Sequence, residues 1–227
     1  MSETQKIWFN GELLSDPEAR AIMPIDHGLV VGDGVFEALK VEKGGPFALT
    51  RHLRRLTKSA TAMGLPEPSH DECRRGVAAV LEGRDWDFGK IRITWTGGKG
   101  PLGSGKAFGP GTLIVASEAV TRDAPTTRVV TVPWTRNING ALTGVKTTSY
   151  GENVVGLAYA TEHDATEGIF ENTEGFLAEG TGSNIFVVRG GALVTPPLSA
   201  GILDGVTRRL GQVPCSGVTA FSSRLGF

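Results

Sequence analysis

The chain has 227 residues, a formal net charge of −1 and 40% hydrophobic residues. Balanced charge without a basic face argues against nucleic-acid binding, and the absence of a like-charge block argues against a long disordered tail. No stretch approaches the length of a membrane span, and Met1 to Lys6 lacks the apolar run of a secretory signal. The expectation is a cytoplasmic protein of one large or two small domains, with no membrane or nucleic-acid partner. Cys73 and Cys215 are far apart and form no CxxC pair, so neither a disulfide framework nor a metal site is expected. Glycine is abundant, at 32 residues, about twice the usual ~7%, which suits tight turns and close approach of backbone to a ligand.

In chain order, Lys6 to Phe9 reads as a strand turning at Asn10-Gly11 into a second short strand, Glu12 to Leu14. Gly32 and Gly34 bracket a bend before a strand from Val35 to Val41. Lys43-Gly-Gly-Pro46 is a hairpin turn, and Phe47 to Thr50 reads as a short strand. A helix opens at Arg51 and runs to about Gly64, with Leu53, Leu56, Ala60 and Met63 on one apolar face. Ser69-His-Asp-Glu72 is a capping box for a helix over about Asp71 to Glu82. Strands follow at Lys90 to Thr96 and Thr112 to Ala116, separated by a Gly-rich loop, Gly97 to Gly111. The first half therefore reads as an α+β domain with a largely antiparallel sheet, residues 1–118.

Residues 119–128 are polar and read as the interdomain linker, leaving 129–227 as a second, cofactor-binding domain. Val129 to Pro133 is a strand, and Trp134 to Gly144 a loop ending on Lys146. A helix is expected from about Glu152 to Glu167, capped by Gly168. Lys146 sits among small and apolar residues, Leu142 and Val145 among them, with no nearby carboxylate in sequence until Glu152. Alone it reads as an exposed loop lysine; in apolar surroundings such an amine loses its proton more readily and can attack a carbonyl. Ile169 to Asn172 reads as a strand. Glu179 precedes a run of small residues, Gly180-Thr-Gly-Ser183, and then a buried strand. It is either a surface charge beside a turn or a carboxylate aimed inward at a bound base. Gly190-Gly191 is a hairpin turn. Ile202 to Leu210 reads as a loop entering a helix; its start is either ordinary or an anion site.

Five ordered segments resemble those of one family: Asp26 to Glu37, His52 to Leu56, Val145-Lys146-Thr147, Ala178 to Phe186 and Gly201 to Arg208. Over roughly residues 7 to 210 the chain is similar to the fold-type IV pyridoxal-phosphate enzymes. These are branched-chain and D-amino acid aminotransferases and aminodeoxychorismate lyases. The resemblance implies an α+β fold of two domains: a small N-terminal sheet-and-helix domain and a larger C-terminal sheet or pseudo-barrel domain. It also implies pyridoxal 5′-phosphate as cofactor, amino acid and 2-oxo acid substrates, and a homodimer.

By that resemblance Lys146 forms the Schiff base with the cofactor aldehyde and shuttles the substrate Cα proton. Glu179 partners the pyridine nitrogen, Arg55 clamps the phosphate, and Val206 with Thr207 completes the phosphate cup. Phe36, Arg92 and Tyr150 fall on the substrate side. The D-amino acid enzymes carry Tyr where Phe36 stands and Arg where Gly97 stands, so their specificity is not expected. The lyases carry Thr near Ala38, also missing here. Branched-chain transamination is therefore the leading expectation, with aminodeoxychorismate lyase as the alternative. Gly211 to Phe227 shows no helical period, with Pro214 and Gly217 against one. It reads as a truncation that leaves the second domain incomplete, and a weakly active or inactive fragment is the third reading.

Overall fold

The computed structural model describes residues 5–211 and 221–222, as an α+β fold of two compact units. The first holds the described residues up to Asp123 together with Lys146–Ser149. The second holds Ala124–Val145 and the described residues from Tyr150 onward.

The first unit is built on one antiparallel sheet of six strands. Its members are β1 (Lys6–Phe9), β2 (Glu12–Leu13), β3 (Gly34–Glu42), β4 (Gly45–Pro46), β5 (Phe88–Thr96) and β6 (Thr112–Ala119), in the order β2-β1-β6-β5-β3-β4. A short helix α1 (His27–Val30) precedes β3, and the chain reverses at Gly32 with φ of 70°, a value that suits glycine. Two helices, α2 (Leu49–Ala62) and α3 (His70–Leu81), pack on the sheet. The apolar face expected of α2 is present: Leu53, Leu56 and Ala60 are fully buried. Ser69 caps α3 by accepting the Glu72 N–H, as the capping box requires.

Phe47 to Thr50 is not a strand. Phe47 donates one backbone bond to Lys40 O, Ala48 turns left-handed at φ of 53°, and α2 already begins at Leu49. The apolar run that reads as a strand is thus a turn and the first helical residues.

In the second unit β7 (Val129–Arg136) pairs in parallel with β8 (Glu167–Asn172), which pairs antiparallel with β9 (Leu177–Gly180). The helix α4 (Gly151–Glu162) makes the crossover between β7 and β8. Strands β10 (Val187–Arg189), β11 (Ala192–Val194) and β12 (Phe221–Ser222) form a further small sheet. A six-residue helix, α5 (Val206–Gly211), closes the described part. Phe170, Ala178, Val132, Ala200 and Ile202 form the apolar core of this unit.

Three boundaries differ from the pattern. β7 runs on through Trp134–Arg136 because a register shift between Thr131 and Thr135 lets it keep pairing with β8 past Pro133. Helix α4 ends at Glu162, not Glu167: Asp164 turns left-handed at φ of 54° and Ala165 donates back to Ala160 O, so Gly168 lies inside β8. The segment after Glu179 is a loop, and the strand that follows it is short and half-exposed rather than buried. The tail from residue 212, which reads as truncated, lies outside the described residues except for β12. Among the described residues no helix is long and apolar enough to cross a membrane.

Gly76 on α3 shows how tightly the first unit is packed. A Cβ there would lie 2.8 Å from Val115 Cγ2 and 2.9 Å from Trp8 Cε3, both in the core. Helix propensity favours alanine over glycine by about 1 kcal/mol, whereas overpacking a closed core costs about 1–3 kcal/mol. Gly76→Ala is expected to lower the urea midpoint; a raised midpoint would show that the core yields.

Candidate active site

Strand β3 carries two adjacent side chains of different chemistry on its opposite faces. Phe36 is 3% exposed and Glu37 is fully buried. The Phe36 ring carries two cations: the Lys146 Nζ lies 4.4 Å from its centroid and the Arg92 guanidinium carbon 3.7 Å. Such contacts stabilise by about 0.5–2 kcal/mol each, more when desolvated. Lys146 is 8% exposed, so the reading of an exposed loop lysine fails.

The backbone explains why this lysine is held. Phe36 N–H donates to Lys146 O at 3.0 Å, Thr148 N–H to Gly34 O at 2.8 Å, and Lys146 N–H to Ser59 Oγ on α2 at 3.2 Å. Val35 and Thr147 form an isolated bridge between these contacts. Residues 146–148 therefore run along β3 as an extra edge segment. Position 34 is tight: a Cβ there would lie 2.9 Å from Thr148 Oγ1 and 3.2 Å from Trp95 O.

Arg55 lies on α2 and is fixed by Glu37. Its Nε donates to Glu37 Oε1 at 2.8 Å and its Nη2 to Oε2 at 2.7 Å, a bidentate pair. His52, one turn earlier on the same helix face, has Nδ1 2.7 Å from Glu37 Oε2. Burial alone would raise the Glu37 carboxyl, but the hydrogen bonds from Arg55 and His52 outweigh it and hold it below its ordinary value.

A second buried cluster fixes the Gly-rich loop. Asp26 accepts from Gly28 N–H, Thr96 Oγ1 and Thr112 Oγ1. His27 has Nδ1 3.0 Å from Asp33 Oδ2, while Nε2 lies 3.2 Å from Pro101 O and 3.1 Å from Gly103 O. Both ring nitrogens face acceptors, an arrangement that only the doubly protonated ring satisfies. The Asp33 hydrogen bond raises the His27 pKa against the opposing effect of burial, with help from the loop carbonyls.

In the second unit Glu179 lies on β9 with its side chain 13% exposed. Its Oε2 accepts the Leu203 N–H at 3.0 Å, and its Oε1 lies 3.4 Å from Arg136 Nε. The small-residue turn after it is held by Glu167, which accepts from Thr181 N–H at 2.9 Å and from Ser183 Oγ at 2.7 Å. Gly180 packs close to this turn: a Cβ there would meet Ser183 Oγ at 2.3 Å, so the serine would have to turn away. Tyr150 donates its hydroxyl to Thr181 O at 3.1 Å. The Leu203 contact ties Glu179 to the loop that leads into α5. Val206 there is buried, and the Thr207 side chain is exposed.

The structure thus gathers Phe36, Arg92 and Lys146 on one side of β3 and puts Arg55 with Glu37. It joins Glu179 to the segment before Val206 and Thr207. Sequence reasoning missed Glu37, His52, Ser59 and Arg136. Only His52 carried a visible signal, its three-residue spacing from Arg55. Among the described residues no cluster of His, Cys, Asp or Glu could hold a metal. Burial pushes the Cys73 thiol up to about 12, so it is no nucleophile.

The profile of the amino-transferase class IV family matches residues 34–211. The chain belongs to that family. A relative from Methanocaldococcus jannaschii, named a putative branched-chain-amino-acid aminotransferase, is 33% identical over 210 residues, spanning 89% of this chain and 72% of the relative. A bifunctional aminodeoxychorismate lyase / D-amino acid transaminase from Mycobacterium tuberculosis is 30% identical over 226 residues, spanning 89% and 75%. The PLP-bound form of a hypothetical aminotransferase from Mycobacterium tuberculosis superposes with a TM-score of 0.79 at 29% identity, covering 90% of this chain and 75% of that one.

Two predictions follow from the buried ionic groups. Glu37→Ala leaves the Arg55 guanidinium without its buried counter-charge, and urea unfolding is expected to show a loss of about 3–5 kcal/mol; a loss below about 1 kcal/mol would contradict the pairing. His27 has a raised folded value, so its contribution is complete below its ordinary 6.5 and is lost as pH rises through the folded value. Thermal melts from about pH 6 to 9 should show the wild type losing stability relative to His27→Gln. Parallel profiles would refute the His27 contribution.

Proposed function

We propose that the protein is a pyridoxal-phosphate-dependent transaminase moving an amino group between an amino acid and a 2-oxo acid. The observation that carries this is the buried Lys146 amine on the Phe36 ring, inside a chain of the class IV family. The residues fit the cofactor: a desolvated primary amine, an arginine set by a buried carboxylate, and a nearly buried acid backed by a backbone N–H. When bound, pyridoxal phosphate supplies an electron-accepting ring that stabilises the charge left at the substrate Cα.

The chain's own residues then take these roles. Lys146 holds the cofactor covalently through its amine and carries the proton to and from the substrate Cα. Glu179 keeps the proton on the ring nitrogen. Arg55, its plane locked by Glu37, gives charge-assisted hydrogen bonds to the phosphate. The Val206 and Thr207 amides with the Thr207 hydroxyl complete the phosphate contacts. Phe36, Arg92 and Tyr150 face the substrate.

A branched-chain amino acid is the preferred donor. The Methanocaldococcus relative's name supports this, as does Gly97, which leaves that position without a guanidinium for the substrate carboxylate. The name of the Mycobacterium relative keeps 4-aminobenzoate formation as the second reading. A homodimer is the working assembly, as the family resemblance implies. The working compartment is the cytoplasm.

Purified wild-type protein with added pyridoxal phosphate should show a visible absorption band and transfer nitrogen from leucine to 2-oxoglutarate. Lys146→Ala should lose the band and slow the transfer by a factor on the order of 10³ or more. A variant that keeps both would refute the role of Lys146. Release of 4-aminobenzoate from aminodeoxychorismate without transfer from leucine would favour the lyase.

A further inference from the structure

Arg136, the last residue of β7, has its side chain 12% exposed and its guanidinium carbon 4.0 Å from the centroid of the buried Phe170 ring. It meets two carboxylates. Nη1 lies 3.2 Å from Glu152 Oε2 and 3.4 Å from Asn153 Oδ1, in the first turn of α4, and Nε lies 3.4 Å from Glu179 Oε1. The two ion pairs are unequal. Glu152 is 79% exposed, so water and salt screen it, whereas Glu179 is 13% exposed. The Arg136 charge therefore acts mainly on Glu179.

The manner of contact also differs from that of Leu203. Arg136 Nε is buried and makes no well-directed hydrogen bond, while the Leu203 N–H donates to Oε2 at 3.0 Å. Leu203 fixes where the carboxylate points. Arg136 supplies charge rather than direction.

We propose that Arg136 is a positioning residue that sets the proton balance at Glu179. This rests on the reading that Glu179 faces the cofactor's ring nitrogen. A guanidinium beside Oε1 favours the ionised carboxylate, so the shared proton stays on the ring nitrogen instead of passing to Glu179. Stacking on Phe170 and the α4 contacts keep the guanidinium in place. The device requires no contact between Arg136 and substrate.

The test uses holoenzyme loaded with cofactor labelled with ¹⁵N in the ring. Arg136→Met keeps the apolar cover of Phe170 and removes the charge. Its ring-nitrogen signal should move toward the unprotonated position, with kcat lower by about tenfold and KM for the amino acid within about twofold. Arg136→Lys should retain the wild-type signal, and Glu152→Gln, which removes only the outer partner, should change neither signal nor rate. A wild-type signal and kcat in Arg136→Met overturns the proposal, as does a signal displaced equally in the Lys and Met variants. Glu179→Gln separates the two levels. If it leaves the nitrogen signal unmoved, the reading of Glu179 itself is wrong. If it moves the signal while Arg136→Met does not, only the role of Arg136 is lost.

Discussion

The site depends on one backbone docking: residues 146–148 lie against the start of β3. Two hydrogen bonds make it, from Phe36 N–H to Lys146 O and from Thr148 N–H to Gly34 O, and Ser59 Oγ takes the Lys146 N–H. These are short-range, directed contacts between main-chain groups that would otherwise be buried without partners. They decide where the lysine amine goes. With the main chain held there, the Lys146 amine lies 4.4 Å from the centre of the Phe36 ring. A lysine on a mobile loop would spread its amine over many rotamers and lose that entropy each time it was used. Here the entropy is lost on folding, and Gly34 makes the close approach possible.

Two buried acids show how the same chemical group is put to different work by its surroundings. Glu37 is fully buried and saturated by Arg55 and His52, so it serves as an anchor. Its ionic strength goes into fixing a guanidinium plane. Glu179 accepts the Leu203 backbone N–H at 3.0 Å and lies 3.4 Å from Arg136 Nε. Glu37, by contrast, takes three directed donors from Arg55 and His52.

Much of the architecture is legible in the sequence, and the limits have physical causes. Asn10-Gly11, Ser69 to Glu72 and the Leu53/Leu56/Ala60 stripe report local geometry, so the hairpin and both long helices can be read from neighbours alone. Phe47 to Thr50 misleads because composition alone suits a strand, while Ala48 turning left-handed starts a helix. The end of α4 depends on Asp164 adopting a left-handed conformation, which no residue preference signals strongly. Lys146, Arg55 and Glu179 stand out through ordered motifs. Which residues they pair with does not show there, even where a partner such as Glu37 or His52 lies in a motif, because the pairing is long-range. Glu37 and Arg55 are 18 residues apart, and Asp26 and Thr112 are 86 apart. Arg136 reads as a loop residue until the register shift in β7 carries the strand through it.

The proposal that one amine, that of Lys146, carries the cofactor has a direct chemical test in borohydride reduction of the protein loaded with pyridoxal phosphate, followed by proteolysis and peptide mass mapping. A single phosphopyridoxyl adduct on the peptide containing Lys146 is expected. Adducts spread over surface lysines such as Lys43 and Lys106, with Lys146 unmodified, would contradict it.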